Sequence, residues 1–425
     1  MGVGERIKLI RIEKKMSQSE IAGNVFSRNY LSQIERELIK PSQKAISHCA
    51  KMLNIPEFLL VNEGTELNST IYKELTNIFL DMRRVFSEQD YLKCIDLFKE
   101  IEVYGLLIKS LDIMKMTLWA IKSYFALQDY DNSLKLIRSI KASASFENRR
   151  EMEMELQFDL CESDIYFNQG EFDKALNGKL EIEKKLNEYN LDMDIDLRID
   201  NLSWIQVLYE FIGKKEEVKK YYGMIQELTK KNKVITRGLL RSMTGYYHDD
   251  TDASFHEKLE QYEMLNSMSR LIDDWDRIAV ICCYKIELLF DYKHYDSIEK
   301  NLDELNSTIL KLKDPMLSDY YKAYVSLFRS KLMTVYWNYD QAKKLLNTAI
   351  EFLEKNKAIL AIRLTIDCHF QSAIMYNMIK QYDSALLYLD MAETASKKYK
   401  LLNRLSKIKK LRMRIFEVLN NENHL

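Results

Sequence analysis

Residues that interrupt helices are scarce in this chain. Of 425 residues only 3 are proline and 11 are glycine, whereas 47% are hydrophobic and 30% are charged. Because proline and glycine are the two poorest helix formers, this composition predicts an all-α protein. Pro41 and Pro56 fall early in the chain and only Pro315 follows. We therefore expect a small compact domain at residues 1–64 and a long helical domain at residues 65–425.

Paired cysteines and long apolar runs are also lacking. None of the six cysteines belongs to a C-x-x-C pair, and most lie in apolar periodic segments, so we expect buried free thiols in a reducing cytosol. No apolar run approaches the ~18 residues of a membrane span, and the N-terminus lacks the apolar core of a signal peptide. The sequence therefore predicts a cytoplasmic protein with no part in a membrane.

Catalytic motifs are absent as well. The chain contains no G-x-S-x-G, no Walker loop, no G-x-G-x-x-G and no kinase motif. The segment HDDTDASFHE, from His248 to Glu257, collects two imidazoles and four carboxylates that could bind a metal. Its spacing matches neither a helical H-x-x-x-H pair nor a calcium loop, so we interpret it as a charged interhelical loop. We expect no enzymatic activity, no cofactor and no metal.

The net charge of −1 is unevenly distributed along the chain. Residues 1–64 carry ten Lys and Arg against seven Asp and Glu, a charge of +3, which leaves −4 for residues 65–425. A mildly basic N-terminal domain on a mildly acidic body permits contact with nucleic acid at that end without proving it.

The N-terminal domain is predicted to contain five short helices. The stretch SQSE, residues 17–20, forms a capping box at the start of the second helix, and Ser27 can cap the third. Pro41-Ser42 precedes a fourth helix, and Pro56 suits the first turn of a fifth. The side chains predicted to face the core are Ile7, Ile10, Ile21, Ala22, Val25, Leu31, Ile34, Ile46, Ala50, Leu53, Phe58 and Leu59.

The second and third of these helices, joined by a very short turn, form a predicted helix-turn-helix. In such a unit the later helix can enter the major groove and place its N-terminal side chains against base edges. Arg28, Asn29 and Gln33 face outward there, and Arg can bind guanine while Asn can bind adenine. Gln18, at the start of the earlier helix, is placed for a phosphate.

The order RIEKKMSQSEIA…SRNYLSQIERELIKPS…ISHCAKMLNIPEFLL resembles the XRE (Cro/C1-type) helix-turn-helix family over residues 4–61. The resemblance implies a five-helix, lambda-repressor-like fold and double-stranded operator DNA as partner. It also implies a structural ion pair between the helices that carry Arg11 and Glu35. The DNA contacts that it implies are Gln18, Ser27, Arg28, Asn29 and Gln33.

A short motif recurs through the C-terminal domain. Copies such as DYDNSLKLI at residue 129 and QYDSALLYL at residue 381 have an anchor position, usually aromatic, and a mostly small side chain three residues after it. Intervals of 39 to 44 residues separate the anchors Tyr91, Tyr130, Phe172, Lys215, Phe255, Tyr295, Tyr339 and Tyr382. Such a repeat predicts units that stack on copies of themselves, each an antiparallel helix pair.

These landmarks, with a tyrosine six residues before several anchors, resemble the tetratricopeptide repeat. Longer helices would account for an interval above the usual ~34 residues. The resemblance implies an α-solenoid of about eight helix pairs. The final segment, KKYKLLNRLSKIKKLRMRIFEVL, is predicted to be a C-terminal capping helix with a basic outer face. Eight pairs and a cap would curve into a superhelix with a concave groove.

The first helix of each pair is expected to line that groove. One slot of this helix holds an aromatic residue in several pairs and Gln371 in the last. The aromatic row could grip an apolar peptide, or it could pack adjacent first helices together, and nearby polar side chains could pair with a peptide. The candidates for peptide contact are Trp119, Lys122, Asp164, Asn168, Asn201, Trp204, Tyr284, Lys331, Gln371 and Asn377.

A helix-turn-helix domain on such an array resembles the peptide-responsive quorum-sensing regulators of Gram-positive bacteria, the Rap–Rgg–NprR–PlcR group, and most of all the NprR branch. That resemblance implies a short signalling peptide in the groove, which changes the curvature of the array or its dimer arrangement. The DNA-binding domains are thereby presented or withdrawn. The implied assembly is a homodimer or higher homo-oligomer on a two-part DNA site.

Two other functions stay open from the sequence. In Rap-like and NprR-like proteins the array can bind a response regulator and promote its dephosphorylation through a glutamine that places water. Gln128, Gln157 and Gln206 are candidates for that glutamine. The other hypothesis is a constitutive repressor whose repeats only dimerise.

Overall fold

The structure, a computed structural model, describes most of the chain as helices joined by turns. The described residues are 2–53, 55, 57, 60, 69–103, 111–144, 146–188, 195–250, 252–399 and 401–422. Within them there are 21 α-helices and no strand, which confirms the predicted all-α fold. By their contacts, the residues form two compact units, residues 1–165 and residues 166–425.

The N-terminal part of the first unit contains four helices: α1 (Val3–Glu13), α2 (Gln18–Ala22), α3 (Arg28–Glu35) and α4 (Gln43–Leu53). The predicted fifth helix, with Pro56, Phe58 and Leu59, lies outside the described residues. So does the predicted domain boundary after residue 64, and the division into 1–64 and 65–425 stays a prediction. The core of this bundle is formed by Ile7, Ile21, Ala22, Leu31, Ile34, Ile46, Ala50 and Leu53, with Ile10 packed beside it.

One predicted core residue of this bundle is wrong. Val25 is 47% exposed, although the helical period of α2 placed it inside. The helix ends at Ala22 because Gly23 adopts φ +55°, a conformation that favours glycine and stops the helix. Val25 therefore lies in the turn before α3, where the helical period no longer applies.

The repeats supply the remaining helices. In the first unit they are α5 (Ser69–Ser87), α6 (Tyr91–Val103), α7 (Leu111–Ala126), α8 (Tyr130–Ser143) and α9 (Arg149–Asn168), whose end passes into the second unit. The second unit begins its own helices with α10 (Phe172–Glu188), α11 (Ile195–Ile212), α12 (Lys215–Asn232), α13 (Arg237–Asp249), α14 (Phe255–Leu271) and α15 (Trp275–Asp291). It ends with α16 (Tyr295–Ile309), α17 (Pro315–Val335), α18 (Tyr339–Leu353), α19 (Ile359–Met378), α20 (Tyr382–Lys398) and α21 (Leu402–Glu422).

Every predicted anchor is the first residue of the second helix of a pair. The cause is a recurring tight turn, in which the residue two before the anchor has a positive φ in seven of the eight pairs. The next N–H then bonds a carbonyl five residues back, as Asp129 does to Tyr124 and Gln381 to Tyr376, both at 2.9 Å. This is the hydrogen bond of a Schellman turn, which ends the first helix at a fixed distance from the anchor.

Mostly small side chains three residues after seven of the anchors let the paired helices approach closely. They are fully buried in six pairs and nearly so at Val218, the members being Cys94, Ser133, Ala175, Val218, Ile298, Ala342 and Ala385. Ser133 on α8 donates its hydroxyl to the carbonyl of Ile121 on α7 at 2.9 Å. The close approach predicted for the pair α7–α8 is therefore present.

In the second unit the first helices also pack on one another in sequence, α11 on α13, α13 on α15, α15 on α17 and α17 on α19, and α21 covers α20. The predicted solenoid of helix pairs with a C-terminal capping helix is confirmed. All six cysteines are free, and five of them are buried. No helix in the described ranges combines the length and the apolar character that a bilayer span requires.

Candidate functional site

Two capped helix starts set the geometry of the helix-turn-helix. Ser17 and Glu20 form the predicted capping box, in which the Glu20 N–H donates to the Ser17 hydroxyl at 3.2 Å and the Ser17 N–H donates to the Glu20 carboxylate. The Tyr30 N–H donates to the hydroxyl of Ser27 at 3.1 Å, which begins α3 at Arg28. Both caps satisfy N–H groups that a helix start leaves unpaired.

Helix α3 has one buried face and one exposed face. Leu31 and Ile34 are fully buried in the bundle core, and Arg28, Asn29 and Gln33 point into solvent from the other side. Three polar side chains on the first turns of a helix can act as hydrogen-bonding groups toward base edges. The structure thus leaves the candidate reading face open in the part of the chain that it describes.

An ion pair holds α3 against α1. The Arg11 guanidinium donates from Nε to Glu35 Oε1 at 2.6 Å and from its second nitrogen to Oε2 at 2.9 Å. Burial alone would raise the pKa of Glu35, but the hydrogen bonds from Arg11 and Gln18 hold it below its usual value. The predicted interhelical pair is confirmed, and its forked geometry fixes the angle at which α3 is presented.

Gln18 belongs to the same network. Its side-chain N–H donates to Glu35 Oε2 at 2.7 Å, and the residue is half-buried. A primary amide has a second N–H, so the contact with Glu35 leaves one donor for a phosphate. Gln18 and the exposed Ser27 therefore remain candidates for contact with the DNA backbone.

Three of the peptide candidates lie in the first unit. Trp119 on α7 packs against two rings of α5, with its centroid 5.3 Å from that of Phe79 and 6.3 Å from that of Phe86. For Trp119 the structure therefore supports packing between adjacent first helices. Lys122 and Asp164 are half-buried on α7 and α9.

Two candidates of the second unit are buried and hydrogen-bonded to neighbouring helices. Asn201 is fully buried on α11 and donates its amide to the Lys179 carbonyl at 3.0 Å. Gln371 is buried on α19 and donates to the Thr334 hydroxyl at 3.3 Å. Because these amides join neighbouring helices, we remove both residues from the candidate peptide site.

The other candidates of the second unit are half-buried and reachable. Trp204 has the Arg241 guanidinium 4.5 Å above its ring, and the Tyr284 ring stacks on His248 with centroids 3.8 Å apart. Lys331 lies 3.8 Å from the ring of Phe328, and burial lowers the pKa of its ammonium. Asn168 and Asn377 complete the set at the ends of α9 and α19.

A set of charged side chains that the sequence analysis did not single out meets beside Tyr284. We call it the charged cluster: Glu210 on α11, Asp249 on α13, Arg277 on α15 and Arg363 on α19. The Arg363 guanidinium lies 4.4 Å from the ring centroid of Phe211, so α19 reaches the end of α11. No sequence pattern could have found this cluster, because its members are separated by up to 153 residues (210 to 363) and belong to four different repeats.

The carboxyl group of Glu210 keeps its proton at neutral pH. Burial raises the pKa of Glu210 to about 8, and the neighbouring Asp249 adds to the rise by repulsion and by a hydrogen bond. Arg363 and Arg277 act against the rise without cancelling it. At neutral pH the carboxyl pair therefore carries less negative charge than its residue types suggest.

The acidic segment from His248 to Glu257 forms the ends of two helices. His248 and Asp249 complete α13, and the Ser254 N–H donates to the Glu257 carboxylate at 2.7 Å in the capping box that begins α14. Among the described residues no group of three potential ligands is placed to hold a metal ion. Its described residues thus end α13 and cap α14.

The protonated state of Glu210 makes the stability of the folded chain depend on pH. The pKa of Glu210 is about 8 in the folded chain and 4.5 as its ordinary value. Between pH 4.5 and 8 the folded chain therefore holds a proton that the unfolded chain releases, and the folded chain loses stability as pH rises through this range. Replacing Glu210 by Gln should abolish this loss, with a gain over the wild type that grows by at most about 1.4 kcal/mol per pH unit.

Thermal unfolding at pH 5.5, 6.5 and 7.5 measures this effect. We expect the melting temperature of Glu210→Gln to exceed that of the wild type increasingly toward pH 7.5. Glu354→Gln, at an exposed site of the same unit, is the matched control and should follow the wild type. Parallel pH curves for wild type and Glu210→Gln would contradict the raised pKa of Glu210.

Comparison with known proteins gives the N-terminal bundle a family. The Helix-turn-helix family (HTH_3) matches residues 7–60. The immunity repressor protein of Bacillus phage phi105 is 34% identical over 100 residues, which are 22% of this chain and 69% of the repressor. This match covers more than two thirds of the repressor.

Two solved structures are similar to longer stretches of the chain. Bacillus thuringiensis PlcR, crystallised with the peptide PapR7 and DNA, has 14% identity and a TM-score of 0.42 over 68% of this chain and 98% of its own. A Rap protein in complex with competence and sporulation factor has 11% identity and a TM-score of 0.49 over 82% of this chain and 98% of its own. With its family match and its repressor relative, the chain belongs to the helix-turn-helix family of DNA-binding transcription regulators.

Proposed function

We propose that the chain is a peptide-gated transcription regulator. Its α2–α3 unit binds operator DNA, and the repeats of the second unit bind a short signalling peptide that changes the affinity for DNA. The observation that carries the peptide part is the meeting of charged and aromatic side chains from α11, α13, α15 and α19 beside Tyr284. Burying charged side chains costs free energy, so their meeting at one place in the array supports a ligand that interacts with them there.

The DNA-binding part rests on the exposed side chains of α3. Arg28, Asn29 and Gln33 bind base edges, while Ser27 and Gln18 bind the phosphate backbone. The relative from phage phi105 is named a repressor, which supports DNA as the ligand of this bundle. As a homodimer or higher homo-oligomer, the protein would present two such helices to a two-part site.

The peptide-binding part uses residues that a ligand can reach. Trp204 and Tyr284 supply aromatic surface, Lys331 supplies a partly desolvated cation, and Asn168 and Asn377 supply amides that can pair with a peptide backbone. Trp119, Lys122 and Asp164 lie in the first unit, and their contact with a peptide stays a prediction. The proposed site therefore centres on the second unit.

A contact within the first unit offers a route between array and DNA-binding bundle. Arg150 on α9 donates to the hydroxyl of Ser47 on α4 and to both carboxylate oxygens of Glu57, at 3.1 and 3.2 Å. The bundle is thereby tied to a repeat helix and is not merely joined by the chain. A peptide can change DNA affinity only if it binds one arrangement of these parts more tightly than another.

The response-regulator hypothesis gains no supporting contact. Gln206 is fully buried and exchanges hydrogen bonds with Ser242, so it cannot position a water molecule for another protein. Gln128 is buried in the turn before α8, and Gln157 is half-buried on α9. Neither is distinguished from ordinary residues of the array.

The test uses the full chain with two selected ligands. A duplex is selected by the protein from random DNA, and peptides are selected from a random heptapeptide pool by co-elution in gel filtration and identified by mass spectrometry. We expect at least one retained peptide to change the dissociation constant for the duplex by about tenfold or more, a coupling of about 1.4 kcal/mol. If no retained peptide alters DNA affinity or oligomeric state, gating by peptide is excluded.

A further inference from the structure

We infer that Lys331 on α17 determines the specificity of the peptide site, where its ammonium binds a carboxylate of the ligand. This inference rests on the proposed peptide-binding function and names the chemistry that the peptide must carry. Lys331 is half-buried in the second unit, and its Nζ lies 3.8 Å from the ring centroid of Phe328 and 5.6 Å from that of Phe290. Because the two rings belong to the adjacent first helices α17 and α15, the ammonium lies where these helices meet.

Three rings form an aromatic floor under the ammonium: Phe290, Tyr324 and Phe328. Phe328 meets Phe290 edge to face with centroids 6.0 Å apart, and it stacks on Tyr324 at 4.6 Å. The Tyr324 hydroxyl donates to the carbonyl of Cys283 on α15 at 2.9 Å. The floor is therefore attached to both helices, and it holds the ammonium of Lys331 against ring faces, which attract a cation.

The ammonium of Lys331 has no acid partner. It makes no ion pair or hydrogen bond with any residue that the structure describes, and its Nζ is not closed off from solvent. The other two cations of α17 are paired. Lys322 lies 2.9 Å from Asp319, and Arg329 lies 3.0 Å from Asp303. Lys331 is thus the cation of this helix that remains available to a ligand.

The acidic side chains that act on Lys331 are held by other groups or by water. Glu287 accepts a hydrogen bond from the tyrosine of the aromatic floor at 3.0 Å. Asp367 accepts two hydrogen bonds from the Arg404 guanidinium, at 2.9 and 2.6 Å. Asp291 is exposed to solvent, which screens its charge. None of the three therefore neutralises Lys331 by direct contact.

A carboxylate from a ligand would supply the missing partner. Burial lowers the pKa of the Lys331 ammonium, and attraction by the nearby acids acts in the opposite direction. A ligand carboxylate would favour the charged form further and would accept a charge-assisted hydrogen bond. The half-buried ring of Phe290 would flank the ligand with apolar surface.

A peptide carries carboxylate in two places, at its C-terminus and on Asp or Glu side chains. Two random heptapeptide pools, one with free C-termini and one with C-terminal amides, separate these sources on the full-length protein. Asp and Glu enriched about tenfold in both pools would assign a side-chain carboxylate. Retention that falls about tenfold from the free pool to the amide pool would assign the C-terminus.

Variants test whether Lys331 is responsible. Lys331→Gln should lose the preference for carboxylate and still retain apolar peptides, and Lys331→Met, whose side chain keeps the contact with the rings, should do the same. Lys331→Arg keeps the charge and should keep the preference. Lys344→Gln removes one charge from an exposed site on α18 and is the matched control, which should behave as the wild type does.

Two results would overturn the inference and leave peptide binding intact. One is a wild type that retains peptides without any preference for carboxylate, and the other is Lys331→Gln or Lys331→Met with the preference of the wild type. Retention of no peptide by the wild type would instead contradict the proposed function itself.

Discussion

Replacing Arg28 and Asn29 together by alanine is expected to weaken binding to the selected duplex by about 100-fold or more. Both side chains are exposed at the start of α3, and a bidentate contact from arginine or asparagine to a base contributes about 1–3 kcal/mol of discrimination. Because the double variant removes both bidentate interactions, their contributions together give the expected factor. Fluorescence anisotropy at fixed salt measures it, because salt alone changes affinities for DNA.

The single variants should separate base contact from charge. Arg28→Ala should relax preference at one base pair, and Asn29→Ala should relax it at another, when selection from random DNA is repeated with each variant. Arg138→Ala, which removes one charge from an exposed site on α8, is the matched control and should bind the duplex as the wild type does. Should the double variant keep its affinity and sequence preference, α3 would not be the reading helix.

The positions of the repeats were predictable because their turns are local. Seven of the eight pairs have a residue of positive φ and an anchor two positions later, and this arrangement is set by side chains within a few residues of each other. The anchor rule therefore held even at Phe255, the weakest copy, where the turn before the helix is longer. Local chemistry also explains the capped starts of α2 and α3.

The facing of individual side chains on those helices was predictable only in part. Asn201 and Gln371 carry the polar chemistry expected of groove residues, but each is bonded to a helix 22 or 37 residues away. Which face of a first helix meets its neighbour depends on the rotation between successive pairs. Repeat spacing does not encode that rotation, since intervals of 39 to 44 residues change the helix lengths from pair to pair.

The charged cluster lay beyond any pattern in the sequence. Arg277 and Arg363 look like ordinary solvated charges near helix starts, and only the stacking of four repeats brings them beside Glu210 and Tyr284. The exposure of Arg28, Asn29 and Gln33, by contrast, was predictable from the sequence because all three lie on one short helix.

Removing Arg11 is expected to release the reading helix from its scaffold. The Arg11→Met variant leaves Glu35, whose side chain is 2% exposed, with Gln18 as its remaining partner. Breaking a buried pair on one side costs about 3–5 kcal/mol, because the other charge stays buried and uncompensated. Hydrogen exchange of the full-length protein should therefore show amides of α1 and α3 at least about 100-fold less protected, with the repeats unchanged.

The double variant Arg11→Met with Glu35→Leu supplies the internal control. It removes both charges and keeps their volume, so its protection should return to within about 1 kcal/mol of the wild type.

The ion pair should also make the stability of the bundle depend on pH. The pKa of Glu35 is below its usual 4.5 in the folded chain, so the pair stabilises the bundle above pH 4.5 and this contribution is lost as pH falls through the lower folded value. The double variant should not show this loss of stability at low pH. If Arg11→Met alone leaves hydrogen exchange unchanged, the ion pair does not hold α3 in its position.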